Sequence, residues 1–219
     1  MTVAAGVRHL TTPRSAALAG VLFAVLFSAS LVLVRMSVPS DPFAEPNWVT
    51  DGAGRLRLAM TLVPLAGIAF LWFLGVLRDR LGDYEDRFFS SVFFGSGLLF
   101  LAMVFVSMAM AGGIVSSAAE GAGQAYDVEV VRFGRATMLE ISNVYALRMA
   151  AVFMISLGTI WLRTGLMPRW LVGVTYALAL MLLVVTTLSL WTTLVFPAWV
   201  LLVSLLILAA SGRAGGVRA

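Results

Sequence analysis

Five polar side chains in this sequence could form a binding site, and they fall in two short stretches. Arg55 and Arg57 come from the first stretch, and Glu140, Asn143 and Arg148 come from the second. Guanidinium groups hold carboxylates and phosphates through paired N–H donors, and an amide adds one further donor. Such a cluster would bind an anionic headgroup or a small anionic ligand. The alternative is that these side chains are ion-paired or snorkelling anchors at helix ends.

Hydrolysis is the second chemistry to weigh, because Glu140 could pair with Asp127 or Glu129 as a general acid and base. On a helix, Glu140 and Arg148 would be about 80° apart around the axis and about 12 Å apart along it.

The sequence has no Cys, and its single His is His9. Thiol catalysis, iron–sulfur clusters and His-based zinc or haem sites are therefore excluded, and neither a metal nor a cofactor is expected.

The composition indicates where such a site would lie. Hydrophobic residues make up 61% of the 219 residues and charged residues 12%, against about 45–50% and about 25% in an ordinary soluble domain. This much apolar surface predicts an integral membrane protein. All 15 basic residues are Arg, which is typical of a GC-rich bacterial genome. They stand singly at the ends of apolar runs, so the expected partner is the lipid bilayer and not nucleic acid.

Six apolar runs have the length that a membrane span needs. A bilayer core about 30 Å thick requires roughly twenty helical residues. Residues 170–212 carry no charge, and a single helix over this stretch would be about 64 Å long, so we expect a turn near residues 191–197. Pro197 either starts or kinks the last helix. The predicted fold is all-α, a polytopic six-transmembrane-helix bundle in one membrane domain over residues 1–219. The predicted spans are residues 16–34, 58–77, 88–110, 144–162, 170–189 and 194–210.

The connections between these runs differ in character. Gly165 predicts the end of the fourth helix, and Pro168 predicts the start of the fifth. Residues 37–54 are rich in Pro and predict a loop. Residues 112–142 predict an extracytoplasmic amphipathic cap segment. Within that segment, residues 126–142 form either a surface helix or, over residues 126–130, a short strand. As a helix, the segment would have an apolar face with Tyr126, Val130, Phe133, Thr137 and Ile141, and a polar face with Glu129, Arg132, Arg135 and Glu140.

The distribution of Arg predicts the orientation of the chain. With six spans both termini lie on one side, and that side collects Arg8, Arg14, Arg78, Arg80, Arg87, Arg163, Arg169, Arg213 and Arg218. The other side holds Arg35, Arg55, Arg57, Arg132, Arg135 and Arg148, spread over longer loops. The positive-inside rule then predicts cytoplasmic termini in a bacterial inner membrane, with the five-residue cluster on the outer side.

The stretch from Trp161 to Leu171, with Thr164-Gly165 followed by Pro168-Arg169, resembles a helix hairpin of one bacterial integral membrane family. That family is catalogued as domain of unknown function 4386. The Arg-Leu-Arg-Leu sequence over residues 55–58 and the layout of six spans are similar to it as well. The family carries no known activity, so the resemblance implies a fold and a membrane location only.

These patterns predict a non-enzymatic role in binding, permeation or support of a complex. The chain could form a homo-oligomer or bind a membrane partner protein, and the sequence does not choose between these two. The alternative is a lipid- or headgroup-modifying enzyme that uses Glu140 and Arg148 at the outer leaflet. Arg148 lies about one turn inside the fourth span. We expect it to face the bundle and to be held by Glu140, Asn143 or a carboxylate of residues 112–142, because an unpaired Arg in lipid is costly.

Overall fold

The computed structural model describes most of the chain, and all regular secondary structure in the described part is helical. The described residues are 13–39, 41, 45, 47–81, 87–120, 127–184 and 190–216. The α-helices are α1 (Pro13–Ser37), α2 (Trp48–Asp51), α3 (Ala53–Leu81), α4 (Arg87–Glu120), α5 (Val128–Glu140), α6 (Leu147–Thr164), α7 (Arg169–Val184) and α8 (Val195–Gly216). A π-helical segment, Ile141–Ala146, joins α5 to α6, and a 3-10 helix, Leu190–Leu194, precedes α8.

Five stretches in the described part are long and apolar enough to cross a membrane. They are Ser15–Ser37, Ala53–Asp79, Phe88–Ala118, Val128–Thr164 and Trp191–Ala210. The predicted span over residues 170–189 corresponds to α7, which is apolar but has only 16 residues. Residues 185–189 of that predicted span lie outside the described part of the chain. The structure therefore has the apolar helices of a membrane protein, with five of full spanning length.

Phenylalanine rings fill the centre of the bundle. The helix α1 packs on α3 and α8, and α4 packs on α3 and α6. The rings of Phe100 and Phe196 have centroids 4.6 Å apart, and those of Phe23 and Phe70 are 4.8 Å apart. Phe153 also contacts Phe70, at 5.7 Å. Edge-to-face and tilted contacts of this kind stabilise a core beyond its buried area, so α1, α3, α4, α6 and α8 meet around a dense apolar centre.

A second core lies at the end of the bundle that carries α2 and α5, which we call the α5 end. It is formed by buried side chains of five helices, namely Val34, Val38, Val49, Leu56, Ile114, Val131 and Met138. With 34 residues α4 is about 51 Å long, and the helical stretch Val128–Thr164, with 37 residues, is about 55 Å long. Both exceed a bilayer core of about 30 Å. Their extra length supplies the second core.

Helices account for the described residues of the predicted cap segment, residues 112–142, apart from Asp127. The helix α4 continues to Glu120, and α5 runs without a break into α6. Asp127 caps α5 by accepting a hydrogen bond of 2.9 Å from the Glu129 amide, so residues 128–130 are helical and the strand alternative is wrong. Tyr126 lies outside the described residues.

The buried face of α5 also differs from the predicted apolar face. Val131, Gly134, Arg135 and Met138 are buried, whereas Val130 and Phe133 are 60% and 71% exposed. The reason is tertiary packing. A Cβ atom on Gly134 would lie 2.9 Å from the Ile114 side chain, so α5 and α4 approach closely on this face.

Several predicted helix ends are confirmed. Gly165 follows α6 in the left-handed conformation, with φ 67°, and α7 begins directly after Pro168. Pro197 is the third residue of α8, so it belongs to the first turn and does not kink the helix. In the described part of the predicted loop over residues 37–54, Trp48–Asp51 form the short helix α2, and α3 begins at Ala53.

Candidate functional site

Arg35 stands at the last turn of α1 and faces the interior of the α5 end. Its guanidinium Nη2 donates a hydrogen bond of 2.7 Å to the Oδ1 atom of Asn143, on the π-helical segment. Its Nε is buried and has no hydrogen-bond partner among the described residues. A buried N–H group without an acceptor costs free energy, so the Arg35 guanidinium is only partly satisfied by the described residues.

Arg135 is a second guanidinium in the same region. It is 7% exposed, and its Nη2 donates a hydrogen bond to the main-chain carbonyl of Pro39, just beyond the end of α1. Asp41 lies close enough to attract Arg135, while Arg35 and Arg135 are close enough to repel each other. Among the described residues, these contacts bring two guanidiniums together with one carboxylate beside Arg135.

The π-helical segment explains how Asn143 reaches α1. A π-helical turn places an extra residue in the backbone spiral and therefore changes the direction of side chains along a helix. Asn143 lies in the middle of Ile141–Ala146. Its amide is half-buried and accepts the hydrogen bond from Arg35, 108 residues earlier in the sequence.

A cavity of about 380 Å³ opens beside Arg35. We call it the Arg35 cavity, and it is lined by Arg35, Met36, Ser37, Val38, Pro39, Trp48 and Trp191. Arg35 is the charged residue of this lining, and the two indoles are large, partly polar surfaces. Trp and Arg together are typical of the boundary between lipid and water, where headgroups lie.

The structure brings one of the five sequence-predicted site residues, Asn143, to this cluster. Arg55, Arg57 and Glu140 are exposed, and Arg148 is half-buried. Within the described part of the chain, no hydrogen bond or ion pair connects Arg148 to Glu140 or to Asn143. The Asn143 carbonyl that was expected to hold Arg148 is bonded to Arg35 instead. The predicted pairing of Arg148 is therefore not present among these residues.

Sequence reasoning missed Arg35 and Arg135 as members of a site. Arg35 follows a long apolar run, a position that in sequence terms indicates only a charge at the end of a span. Arg135 was placed on the polar face of a surface helix, although it is nearly fully buried. The usable signal was the depth of Arg35, which lies inside the continuous apolar helix α1 and not in the loop that follows it.

Comparisons with protein-family models, with curated protein sequences and with solved structures find no match for this chain. The resemblance to the uncharacterised family named above stays a prediction.

Proposed function

We propose that this chain is a multi-pass protein of a bacterial inner membrane, with six spans, cytoplasmic termini and the α5 end facing outward. The span added to the five long ones is α7, the fifth in chain order, whose 16 residues extend about 24 Å. The distribution of Arg supports this orientation. At the end opposite to α5, Arg78 lies 4.6 Å from the centre of the Phe94 ring, and Arg163 lies 4.8 Å from the Phe89 ring. Cations held over aromatic rings in this way suit the inner membrane boundary.

In this orientation, α5 and the last turns of α4 form an extracytoplasmic cap. The second core, with Ile114 and Val131 buried in it, supports this assignment because it joins the cap to α1 and α3. The cap then encloses Arg35 and Asn143 at the level where lipid headgroups meet the hydrocarbon core.

The function that this geometry supports best is non-enzymatic binding of an anionic group in the Arg35 cavity. The observation that carries this proposal is the buried Nε of Arg35, which has no acceptor among the described residues and belongs to a side chain lining the cavity. A phosphate or carboxylate in the cavity would lie beside the guanidinium of this side chain and offset its desolvation. Arg135 adds positive charge behind Pro39.

Two other roles receive less support. Permeation needs a polar path, and the rings of Phe70, Phe100 and Phe196 occupy the middle of the bundle. The alternative of an outer-leaflet lipid-modifying enzyme needs Glu140 and Arg148 at one site. Among the described residues these two side chains share no hydrogen bond or ion pair, and Glu140 is exposed.

Glycerol 3-phosphate tests the proposal as a soluble anionic probe, with glycerol as the neutral comparison. Trp48 and Trp191 line the cavity, so binding to the detergent-purified protein should change tryptophan fluorescence in a saturable way. We expect Arg35→Leu to remove the response and Arg35→Lys to retain part of it. Arg57→Leu is the matched control, because Arg57 is an exposed arginine of α3. An equal response to glycerol, or an unchanged response in Arg35→Leu, would contradict the proposal.

A further inference from the structure

A shallow apolar groove lies on the surface of the bundle below the Arg35 cavity, toward the middle of the spans. Its volume is about 610 Å³, and its lining comes from α1, α3 and the region where the 3-10 helix meets α8. The lining residues are Ser28, Ala29, Val32, Leu33, Leu58, Leu62, Leu194 and Ala198. We call this surface the α1–α8 groove.

The groove and the Arg35 cavity lie along the same helix faces. On α1, Ala29 and Val32 line the groove and Met36 lines the cavity, and this spacing of three and four residues keeps them on one face. On the second wall, Leu194 and Ala198 line the groove, and Trp191, one turn earlier, lines the cavity. The two sites therefore form one surface that is charged at the end of α1 and apolar along α1.

The charged and apolar parts of this surface lie at different depths along α1, as the headgroup and hydrocarbon layers of a bilayer do. Arg35 is two residues from the end of α1 at Ser37. Ser28, the deepest groove residue on α1, is about 10 Å further along the helix than Arg35 at 1.5 Å per residue. An occupant with its polar part at Arg35 would therefore have its apolar part in the hydrocarbon layer.

We infer that the ligand of the Arg35 cavity is a single lipid with an anionic headgroup, whose acyl chain lies in the α1–α8 groove. This inference rests on the proposed function and names the class of molecule that the site takes. The charge of Arg35 selects an anionic headgroup, and the side chains of Val32, Leu58 and Leu62 supply apolar contact for the chain.

A second apolar groove of the bundle provides a comparison. It has a volume of about 600 Å³ and lies between α1 and α3 at the opposite end, where Leu22, Leu65 and Trp72 contribute to its walls. The described residues of its lining carry no charge. Among these described residues a lipid would have no cationic partner, so we expect its binding to depend less on headgroup charge than binding at Arg35 does. The charge dependence therefore distinguishes the two grooves.

Native mass spectrometry of the detergent-purified protein tests the inference with dioleoyl phosphatidylglycerol and dioleoyl phosphatidylcholine. We expect one phosphatidylglycerol to bind about tenfold more tightly than phosphatidylcholine, and Arg35→Leu to remove this difference. Ala29→Phe and Ala198→Phe, on two different helices, fill the groove from either wall. Each variant should weaken the binding of phosphatidylglycerol about tenfold, because several methylene groups of the acyl chain lose their contacts.

Ala177→Phe is the matched control, since Ala177 is exposed on α7 and contributes to neither groove. It should leave lipid binding unchanged. The response to glycerol 3-phosphate should also persist in Ala29→Phe and Ala198→Phe, because the headgroup contacts are intact. That response also shows that the variants are folded.

The outcomes separate the inference from the proposed function. One outcome is that Ala29→Phe and Ala198→Phe bind phosphatidylglycerol as tightly as the parent protein while Arg35 still governs the response to glycerol 3-phosphate. In that case the acyl chain lies elsewhere, and only this inference fails. If Arg35→Leu changes neither the lipid preference nor the anion response, both fail. If the parent protein is a dimer and Ala29→Phe dissociates it, the groove is occupied by a second copy of this protein. That result would overturn the lipid assignment.

Discussion

The guanidinium of Arg35 and the side-chain amide of Asn143 are joined by a hydrogen bond of 2.7 Å across 108 residues of sequence. It connects the last turn of α1 to the π-helical segment between α5 and α6. Because the donor is charged and the contact is half-buried, it is stronger than a neutral surface hydrogen bond. The same residue lines the Arg35 cavity, so one side chain joins α1 to the π-helical segment and places a cation at the cavity.

Replacing the acceptor tests the structural part of this role. We expect Asn143→Leu to destabilise the folded protein by about 1.5–3 kcal/mol, because the Arg35 charge loses its partner. Ser142→Ala, the change at the neighbouring half-buried residue, should have little effect. Thermal unfolding in detergent measures both. In a double-mutant cycle with Arg35→Met, the combined loss should be smaller than the sum of the single losses. Strict additivity would show that the contact contributes nothing.

The close approach of α1 to α8 and α3 depends on Gly20. A Cβ atom at this position would lie 2.1 Å from the Ser204 Oγ atom and 2.9 Å from the Phe73 ring. Gly20→Ala should therefore force these helices apart and cost about 1–3 kcal/mol. Gly75→Ala is the control on α3, because a Cβ atom at Gly75 would meet nothing within 4 Å. Equal melting temperatures for the two variants would contradict this packing.

A polar contact inside the apolar core gives a further prediction. The indole Nε1 of Trp199 donates a hydrogen bond of 2.9 Å to the Thr175 Oγ1 atom, and both residues are fully buried. Thr175→Val keeps the volume but removes the acceptor, so we expect a loss of about 1–3 kcal/mol. Trp199→Phe in the Thr175→Val background should then cost less than Trp199→Phe alone. Thr61→Val, at an exposed threonine of α3, is the control.

The sequence predicted the parts of the fold that local patterns determine. Apolar runs located α1, α3, α4, α6 and α8, because the length of such a run is set by the bilayer. The end of α6 at Gly165 and the start of α7 after Pro168 were predicted from backbone chemistry alone. These features depend on neighbouring residues and need no knowledge of the tertiary contacts.

The site was less predictable because its members come from distant parts of the chain. Asn143 was identified as polar and near the end of a span, but its partner Arg35 is on the first helix. The burial of Arg135 on α5 was not predicted either. Its sequence offers Val130 and Phe133 as an apolar face, yet close packing on Ile114 requires the small Gly134 and thereby buries Arg135. Sequence periodicity describes a helix in isolation and contains no information on such contacts.

The orientation in the membrane can be tested by labelling single cysteines, since the chain has no Cys of its own. Asp51→Cys and Glu129→Cys, at exposed positions of the α5 end, should react with a membrane-impermeant maleimide in intact spheroplasts. Asp79→Cys and Leu166→Cys, exposed at the other end, should react only after the membrane is opened. The reason is that the side richer in Arg is retained in the cytoplasm. Labelling of Asp79→Cys from outside would invert the topology and place the Arg35 cavity in the inner leaflet.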